Sequence, residues 1–495
     1  GQRKRGDVVV WREVMMSKDV SVSENDEAAA LPDAASPRPR VPPSPSHRVP
    51  ASPPLSPAAK FSTHVAWTLA TRVLMVGNSV VAGIIVARWL GAEGLGQLAV
   101  INVTIATLVQ LASFGLPSAN TYFIAQDKLQ LRAAAMNSLI FALLIGTGLA
   151  LVLTGVAKLR PEWFGFIPPK LFAIAAISLP FQLLTFIGLN VFLAVGRITQ
   201  FNLIDLAGQT FVLINAVIAL IVMQAGLWVL VSLNTISSVL IGVLLIVLVG
   251  FVAARLNNPL PWRTDFPLFR RMLGYGFKFH ISILAGALIF RADLLVVNHF
   301  RGAAEAGVYS VTSQVALMLM LLPGVIATLL FPRVAAEPDL SGETTCLVSR
   351  HTALLLLFCC LAAIPLSYVL PLLYGAAFAD VTVQLLILLP GVYLVGIESV
   401  LVQHLNAIGL PRTIPLSWIA TLIGNIVLVF VLVPRFGARG AAIASTISYA
   451  LIFFLVAHYF TAQTGRPLSD ALLLRGSELR RLLTLRSFRS VRGTL

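Results

Sequence analysis

Seven side chains in this sequence could do chemistry from inside long apolar stretches: Arg72, Asp205, Arg291, Asp293 and Glu398, with His280 and His404. A charge placed in hydrocarbon is costly, and it is retained where it faces a cavity, a partner or an ion pathway. An arginine presents five N–H donors in a planar fork, which suits the oxygens of a phosphate. A carboxylate at the same depth can exchange a proton or hold a monovalent cation. The chemistry on offer is therefore anion binding and ion coupling. The sequence contains no GxxxxGK[ST] phosphate loop, no HExxH and no GxSxG, so no built-in ATPase, zinc protease or serine nucleophile is expected.

Each candidate carries two readings. Arg72 is followed at helical spacing by Val76, Ser79 and Gly83, a small and polar face that suits a cavity wall. Its long stem could equally snorkel to headgroups from two turns inside the span. Arg291 is the stronger phosphate candidate, and its alternative is an ion pair with an acid on another helix. His280 lies eleven residues earlier, close to three helical turns, and shares its face. Asp293 points away from Arg291 on a continuous helix and could anchor the following loop. Glu398, near mid-span, is a proton or sodium site or a neutral packing group. Asp205 is a weaker ion-coupling candidate at headgroup depth, and His404 is assigned no role. The span-interior amides Asn78, Asn102, Gln110, Asn190, Asn234 and Asn425 are read as glue between helices.

The elements that must hold these residues follow from composition. Charged residues make up 12% of the chain and hydrophobic ones 57%, whereas a soluble domain averages about 25% charged. Apolar stretches predict spans near 65–89, 97–118, 133–157, 171–195, 201–223, 227–252, 277–300, 305–331, 350–373, 381–406, 414–434 and 438–460. Each has roughly the 20 residues that cross a hydrocarbon core as a helix. Pro117, Pro180, Pro323, Pro332, Pro365, Pro371 and Pro390 offer bend points in or beside them.

The second half repeats the first. Ala87-Arg88-Trp89-Leu90-Gly91-Ala92-Glu93-Gly94-Leu95-Gly96 recurs as Asn298-His299-Phe300-Arg301-Gly302-Ala303-Ala304-Glu305-Ala306-Gly307. Ala194-Val195-Gly196-Arg197 recurs as Ala407-Ile408-Gly409-Leu410-Pro411-Arg412. An even number of spans per half makes these parallel repeats, the build of a secondary transporter with its site between them. The expected organisation is a disordered Pro/Ser-rich cytoplasmic tail (1–61), a six-helix lobe (62–254), a connector (255–276), a second six-helix lobe (277–462) and a basic tail (463–495).

The formal charge of +15 does not point to nucleic acid, because nine Lys/Arg lie in the first 60 residues and seven Arg in the last 30. With both termini cytoplasmic, inside loops carry eleven basic residues against seven outside, as the positive-inside rule expects. Cys346, Cys359 and Cys360 form neither a metal-ligand spacing nor a disulfide framework.

Several segments then bear a likeness. Ala87-Arg88-Trp89-Leu90-Gly91, Gly115-Leu116-Pro117 with Tyr122-Phe123-Ile124-Ala125, Arg291-Ala292-Asp293 with Gly307-Val308-Tyr309, Leu372-Leu373-Tyr374-Gly375-Ala376-Ala377-Phe378 and Phe436-Gly437-Ala438-Arg439-Gly440 fall in order along residues 62–462. In these the chain resembles the O-antigen and exopolysaccharide flippase family of the multidrug/oligosaccharidyl-lipid/polysaccharide exporter superfamily. The resemblance implies an all-α, polytopic fold with two six-helix lobes in a V around a central, partly cationic cavity. It implies alternating access that carries a polyprenyl-pyrophosphate-linked oligosaccharide across the bacterial cytoplasmic membrane. Arg72 and Arg291 are then the first phosphate contacts and His280 a third. Glu398, Asp293 and Asp205 remain the ion-coupling candidates. No cofactor is expected beyond a coupling H+ or Na+. The expected partners are the lipid-linked glycan, membrane lipids and proteins of polysaccharide assembly, around a monomer. Alternatives are an ion-coupled multidrug antiporter, a lipid II flippase and, in another class, a membrane polymerase or glycosyltransferase. A lipid II flippase would bring about fourteen helices and more arginines in the first lobe. An enzyme would bring a large extracytoplasmic loop or clustered acids.

Overall fold

Apolar helices of bilayer length dominate the computed structural model, which describes residues 57–473 apart from residue 166 and residues 257–260, 337–340 and 410–412. The Pro/Ser-rich first tail, save its last few residues, and most of the basic second tail lie outside the described residues. The helices are α1 (Pro57–Ala112), α2 (Leu116–Gln126), α3 (Leu131–Leu159), α4 (Pro169–Ala176), α5 (Leu179–Ala194), α6 (Ile198–Ala216) and α7 (Leu227–Arg255) in the first half. The second half contributes α8 (Phe266–Ile289), α9 (Ala292–Arg301), α10 (Ala303–Leu319), α11 (Leu321–Ala336), α12 (Glu343–Tyr374), α13 (Val381–Ala407), α14 (Thr413–Thr464) and the short α15 (Ser469–Leu472).

Among the described residues nine helical stretches are long and apolar enough to cross a membrane, or ten if α4 and α5, bent by 41° from each other, form one span. Two of the nine, of 46 and 52 residues, are interrupted by the non-helical backbone of Gly91 and Gly437, so each is long enough for two crossings. Large apolar side chains such as Leu144, Leu151, Phe251, Phe358 and Phe454 stand outward and exposed. That surface is unfavourable in water and suits lipid. The chain is a multi-pass membrane protein.

The repeat is legible in the backbone. Gly91 (φ 70°, ψ −174°) and its counterpart Gly302 (φ 86°, ψ 172°) take the same conformation, open to residues without a Cβ. Past these turns the two copies meet face to face. A Cβ on Gly96 would overlap the carbonyl oxygen of Ala303, and one on Gly307 would overlap that of Ala92. Backbones this close pack α1 against α10 through small residues, as membrane helices do. The same seam carries the Gln314 Nε2 donation to Ser79 Oγ (2.6 Å) and the Arg88 Nε donation to Leu373 O (2.7 Å) at the carbonyl end of α12.

A second contact between the halves lies nearer the connector. Tyr122 stacks on Tyr275 with ring centroids 4.3 Å apart. Asn137 grips the connector, its Nδ2 donating to Asp265 O (2.9 Å) while its Oδ1 accepts from Asp265 N (3.1 Å). Asp265 then caps α8 by accepting from Leu268 N at 2.8 Å, with Pro267 in the first turn.

The prolines divide into two groups. Pro117, Pro180 and Pro323 stand in the first turns of α2, α5 and α11, where a missing N–H costs nothing. Pro365 and Pro390 lie inside the unbroken α12 and α13, a placement that packed neighbours tolerate in membrane helices.

Candidate functional site

The predicted seventh span is not one continuous helix. Phe290 N and Arg291 N bond back to Gly286 O and Leu288 O, then the backbone turns at Arg291 (φ −138°, ψ −26°) and α9 starts at Ala292. This break frees Arg291 from the register of α8. Its side chain enters a cavity of about 720 Å³ bounded by α1, α4 to α8 and α10. No hydrogen bond or ion pair holds the Arg291 guanidinium among the described residues.

The rest of the cavity wall is neutral and polar. Asn102, Gln110, Gln182, Gln209, Asn215 and Asn234 line it, with apolar side chains between them. Part of this amide set is wired together, since Asn215 Nδ2 donates to Asn234 Oδ1 (3.0 Å) and to Ser237 Oγ (2.9 Å). Asn102 and Gln110 line the cavity, where the sequence predicts glue, while Asn234 both lines it and joins α7 to α6. The reading as glue stands for Asn78, whose Nδ2 donates to Thr210 Oγ1 (3.0 Å), and for Asn425, whose Nδ2 donates to Ser448 Oγ (3.0 Å). Gln182 and Asn215 were not singled out from the sequence. Each occupies a run whose helical face opposite the lipid could have been read only with the neighbouring helices in place.

Asp205 is the acid on the cavity wall, and it is spoken for. Arg72 Nη1 lies 2.9 Å from Asp205 Oδ2, with the two side chains about one-third and one-quarter exposed (35% and 25%). Arg72 itself is not among the cavity-lining residues, and its charge is balanced by Asp205. The pair is half-buried, so its net contribution is modest, about 1 kcal/mol or less. The local balance leaves Arg291 as the uncompensated charge of the cavity.

The helix break also separates His280 from Arg291. His280 is buried, its Nε2 lies 3.3 Å from Leu111 O, and its ring faces Phe114 at 6.1 Å. It sits where α8 crosses the loop between α1 and α2, away from the cavity wall.

Asp293 occupies the first turn of α9 and is fully buried. Its Oδ1 accepts from Leu294 N (2.8 Å), and its Oδ2 accepts from Ser445 Oγ (2.9 Å) and from the Tyr309 hydroxyl. Three helices, α9, α10 and α14, are thus joined at one carboxylate. Asp293→Ala would leave two buried hydroxyls without their acceptor, each costing about 1–3 kcal/mol. The variant is expected to melt several degrees below wild type in detergent, whereas Asp293→Asn, which keeps an acceptor oxygen, is expected to melt in between. Equal melting of Asp293→Ala and wild type would show that the three-helix junction contributes nothing.

Glu398 is buried in α13, and its Oε1 has no hydrogen-bond partner. A turn and a half further on, His404 Nδ1 lies 2.8 Å from Thr345 Oγ1. Neither residue lines the 720 Å³ cavity. The structure thus brings together Arg291, the amides and the Arg72–Asp205 pair, and leaves His280, Asp293 and Glu398 in separate buried settings.

The similar solved structures share one architecture. A family model described as polysaccharide biosynthesis protein matches residues 62–336. A Shigella flexneri protein provisionally named an O-antigen transporter is 25% identical over 198 residues, covering 39% of this chain and 47% of its own length. A Haloferax volcanii protein provisionally named a low-salt glycan biosynthesis flippase is 21% identical over 203 residues, covering 39% and 42%. The match spans less than half the length of each of these relatives. Among solved structures, the lipid II flippase MurJ in an inward closed conformation superposes with a TM-score of 0.65 at 15% identity, covering 83% of this chain and 89% of its own. An inward-facing multidrug resistance MATE family transporter of the MOP superfamily gives 0.65 at 14% identity, covering 81% and 98%. At these identities the superpositions establish a shared fold.

Proposed function

Because this chain belongs to the polysaccharide biosynthesis protein family, we propose that it is a flippase that carries a polyprenyl-pyrophosphate-linked oligosaccharide across the cytoplasmic membrane. The observation that carries the reading is the Arg291 guanidinium, without a partner among the described residues, in a large amide-lined cavity. A guanidinium that faces a cavity among membrane-spanning helices favours a counter-charge. A pyrophosphate supplies one, and the amides offer donors and acceptors to sugar hydroxyls. The polyprenyl tail can stay in the bilayer, since lipid is as apolar as any protein groove. The related Shigella and Haloferax proteins, named for O-antigen transport and for glycan flipping, support the same substrate class.

The arrangement we infer is two lobes, residues 62–254 and 277–462, joined by the connector 255–276, with twelve crossings. The two interruptions at Gly91 and Gly437 and the bent α4–α5 pair support that number. Both termini face the cytoplasm, on the bias of basic loop residues. Arg291 takes the pyrophosphate. Arg72 is the second contact, reached when Asp205 releases it. Glu398 is the coupling group for H+ or Na+, with Asp293 and Asp205 as the other candidates. The chain is a transporter with no catalytic step of its own. The MATE-like fold leaves a drug antiporter as a second reading, but an uncompensated arginine repels cationic drugs.

The test is leaflet transfer in proteoliposomes, followed with a fluorescent polyprenyl-pyrophosphate sugar under imposed proton, sodium or voltage gradients. Transfer by wild type under one of these gradients is expected. Glu398→Gln is expected to lose most of the dependence on that ion gradient while still binding the substrate. Absence of wild-type transfer under every gradient would sink the flippase reading. An unchanged gradient dependence in Glu398→Gln would remove that residue from coupling.

A further inference from the structure

A second, separate recess lies on the lipid side of the first half. It measures about 300 Å³ and is walled by Met136 and Leu139 of α3, Leu184 and Val191 of α5, Val249 of α7 and Trp262 of the connector. Gly188 and Gly250 form its floor. An added Cβ at Gly250 meets nothing within 4 Å, so open space stands above it. Helix α5 divides this recess from the central cavity: Gln182, Thr185, Phe186 and Leu189 face the cavity, while Leu184, Gly188 and Val191 face the recess.

The recess is apolar along its length and basic at its mouth. Arg132 lies one turn before Ala135 and Met136 on α3, hence on the face that walls the recess. Its guanidinium carbon sits 5.8 Å from the Trp262 ring centre, a cation–π contact. Trp262 is itself held by the Asn137–Asp265 clamp three residues on. Arg263 follows Trp262 directly in the chain, a second basic residue next to the tryptophan that lines the recess. An apolar trough opening at a tryptophan and an arginine is the pattern of a lipid whose chain is buried and whose head is anionic.

We propose that this recess is a binding site for an anionic phospholipid of the leaflet on the connector side, one acyl chain lying between α3, α5 and α7 and its phosphate at Arg132. The occupant is a resident phospholipid and not the tail of the transported lipid, because α5 separates the recess from the cargo cavity.

Full-length protein reconstituted with phospholipids brominated on the acyl chain tests this directly, since bromine quenches nearby tryptophan. The difference in fluorescence between wild type and Trp262→Phe isolates the signal of Trp262. It is expected to be quenched at about five-fold lower mole fraction of brominated phosphatidylglycerol than of brominated phosphatidylcholine, the selectivity of about one well-placed basic residue. Gly250→Leu, which fills the recess without a backbone clash, and Arg132→Gln are each expected to bring that ratio to about one. Equal quenching by the two lipids in wild type, as an unselective lipid annulus would give, overturns the proposal. So does a preference that survives Gly250→Leu. Displacement of the brominated lipid by a polyprenyl phosphate but not by unbrominated phosphatidylglycerol also overturns it, and would put the cargo tail in the recess.

Discussion

Arg291→Ala is expected to slow leaflet transfer of a polyprenyl-pyrophosphate sugar about 100-fold, because hydrogen bonds from a charged donor are worth about 1.5–3 kcal/mol and more than one would be lost. Arg291→Lys keeps the charge but loses the planar fork, and an intermediate loss of about ten-fold is expected. The native guanidinium has no protein partner among the described residues and stands at a helix break, so its removal breaks no native contact. The melting temperature in detergent should therefore stay within a degree or two of wild type, which separates a binding defect from a folding defect. Full transfer by Arg291→Ala would take Arg291 out of the site. Loss of transfer together with a large drop in melting temperature would show that the arginine is structural after all.

The other large effect is expected at the seam between the repeat copies. Gly96→Ala places a Cβ against the Ala303 carbonyl, and Gly307→Ala places one against the Ala92 carbonyl. Backbone cannot yield as a side-chain end can, so α1 and α10 would have to move apart, at an expected cost of about 3 kcal/mol. Gly77→Ala is the control, since a Cβ there meets nothing within 4 Å on the same helix. It is expected to be neutral or slightly stabilising, by about 0.5–1 kcal/mol, through helix propensity. Thermal melting of the three variants reads the difference, and a Gly96→Ala protein that melts like Gly77→Ala would mean that the seam is not the tight contact described. Because Gln314–Ser79 and Arg88–Leu373 lie along the same seam, its loosening should also weaken closure on that side and reduce transfer.

What could be read without coordinates was whatever is carried by local composition and by repetition. Long apolar runs impose helices, because hydrocarbon leaves backbone N–H and C=O groups no other partner. The recurrence of Gly91-Ala92 as Gly302-Ala303 announced two like turns, and both adopt the same positive-φ backbone. The few charges inside those runs marked the residues worth following. Their roles were not legible, because a role depends on what another helix brings to the same depth. Arg72 and Arg291 look alike in the sequence, yet Asp205, 133 positions further along, neutralises the first and nothing described neutralises the second. His280 and Arg291 share a face only on an unbroken helix, and the turn at Arg291 parts them. Asp293 stands alone in its own segment, and only the fold brings Tyr309 and Ser445 from α10 and α14 to its oxygens. Gln182 and Asn215 are unremarkable in their own segments and become part of a polar wall when α5, α6 and α7 converge. The sequence by itself determined the membrane class, the helices and the doubled plan, since these follow from solvation and periodicity along the chain. Only the tertiary structure decided which charge stands uncompensated in the cavity, since compensation is a matter of distance across helices remote in sequence.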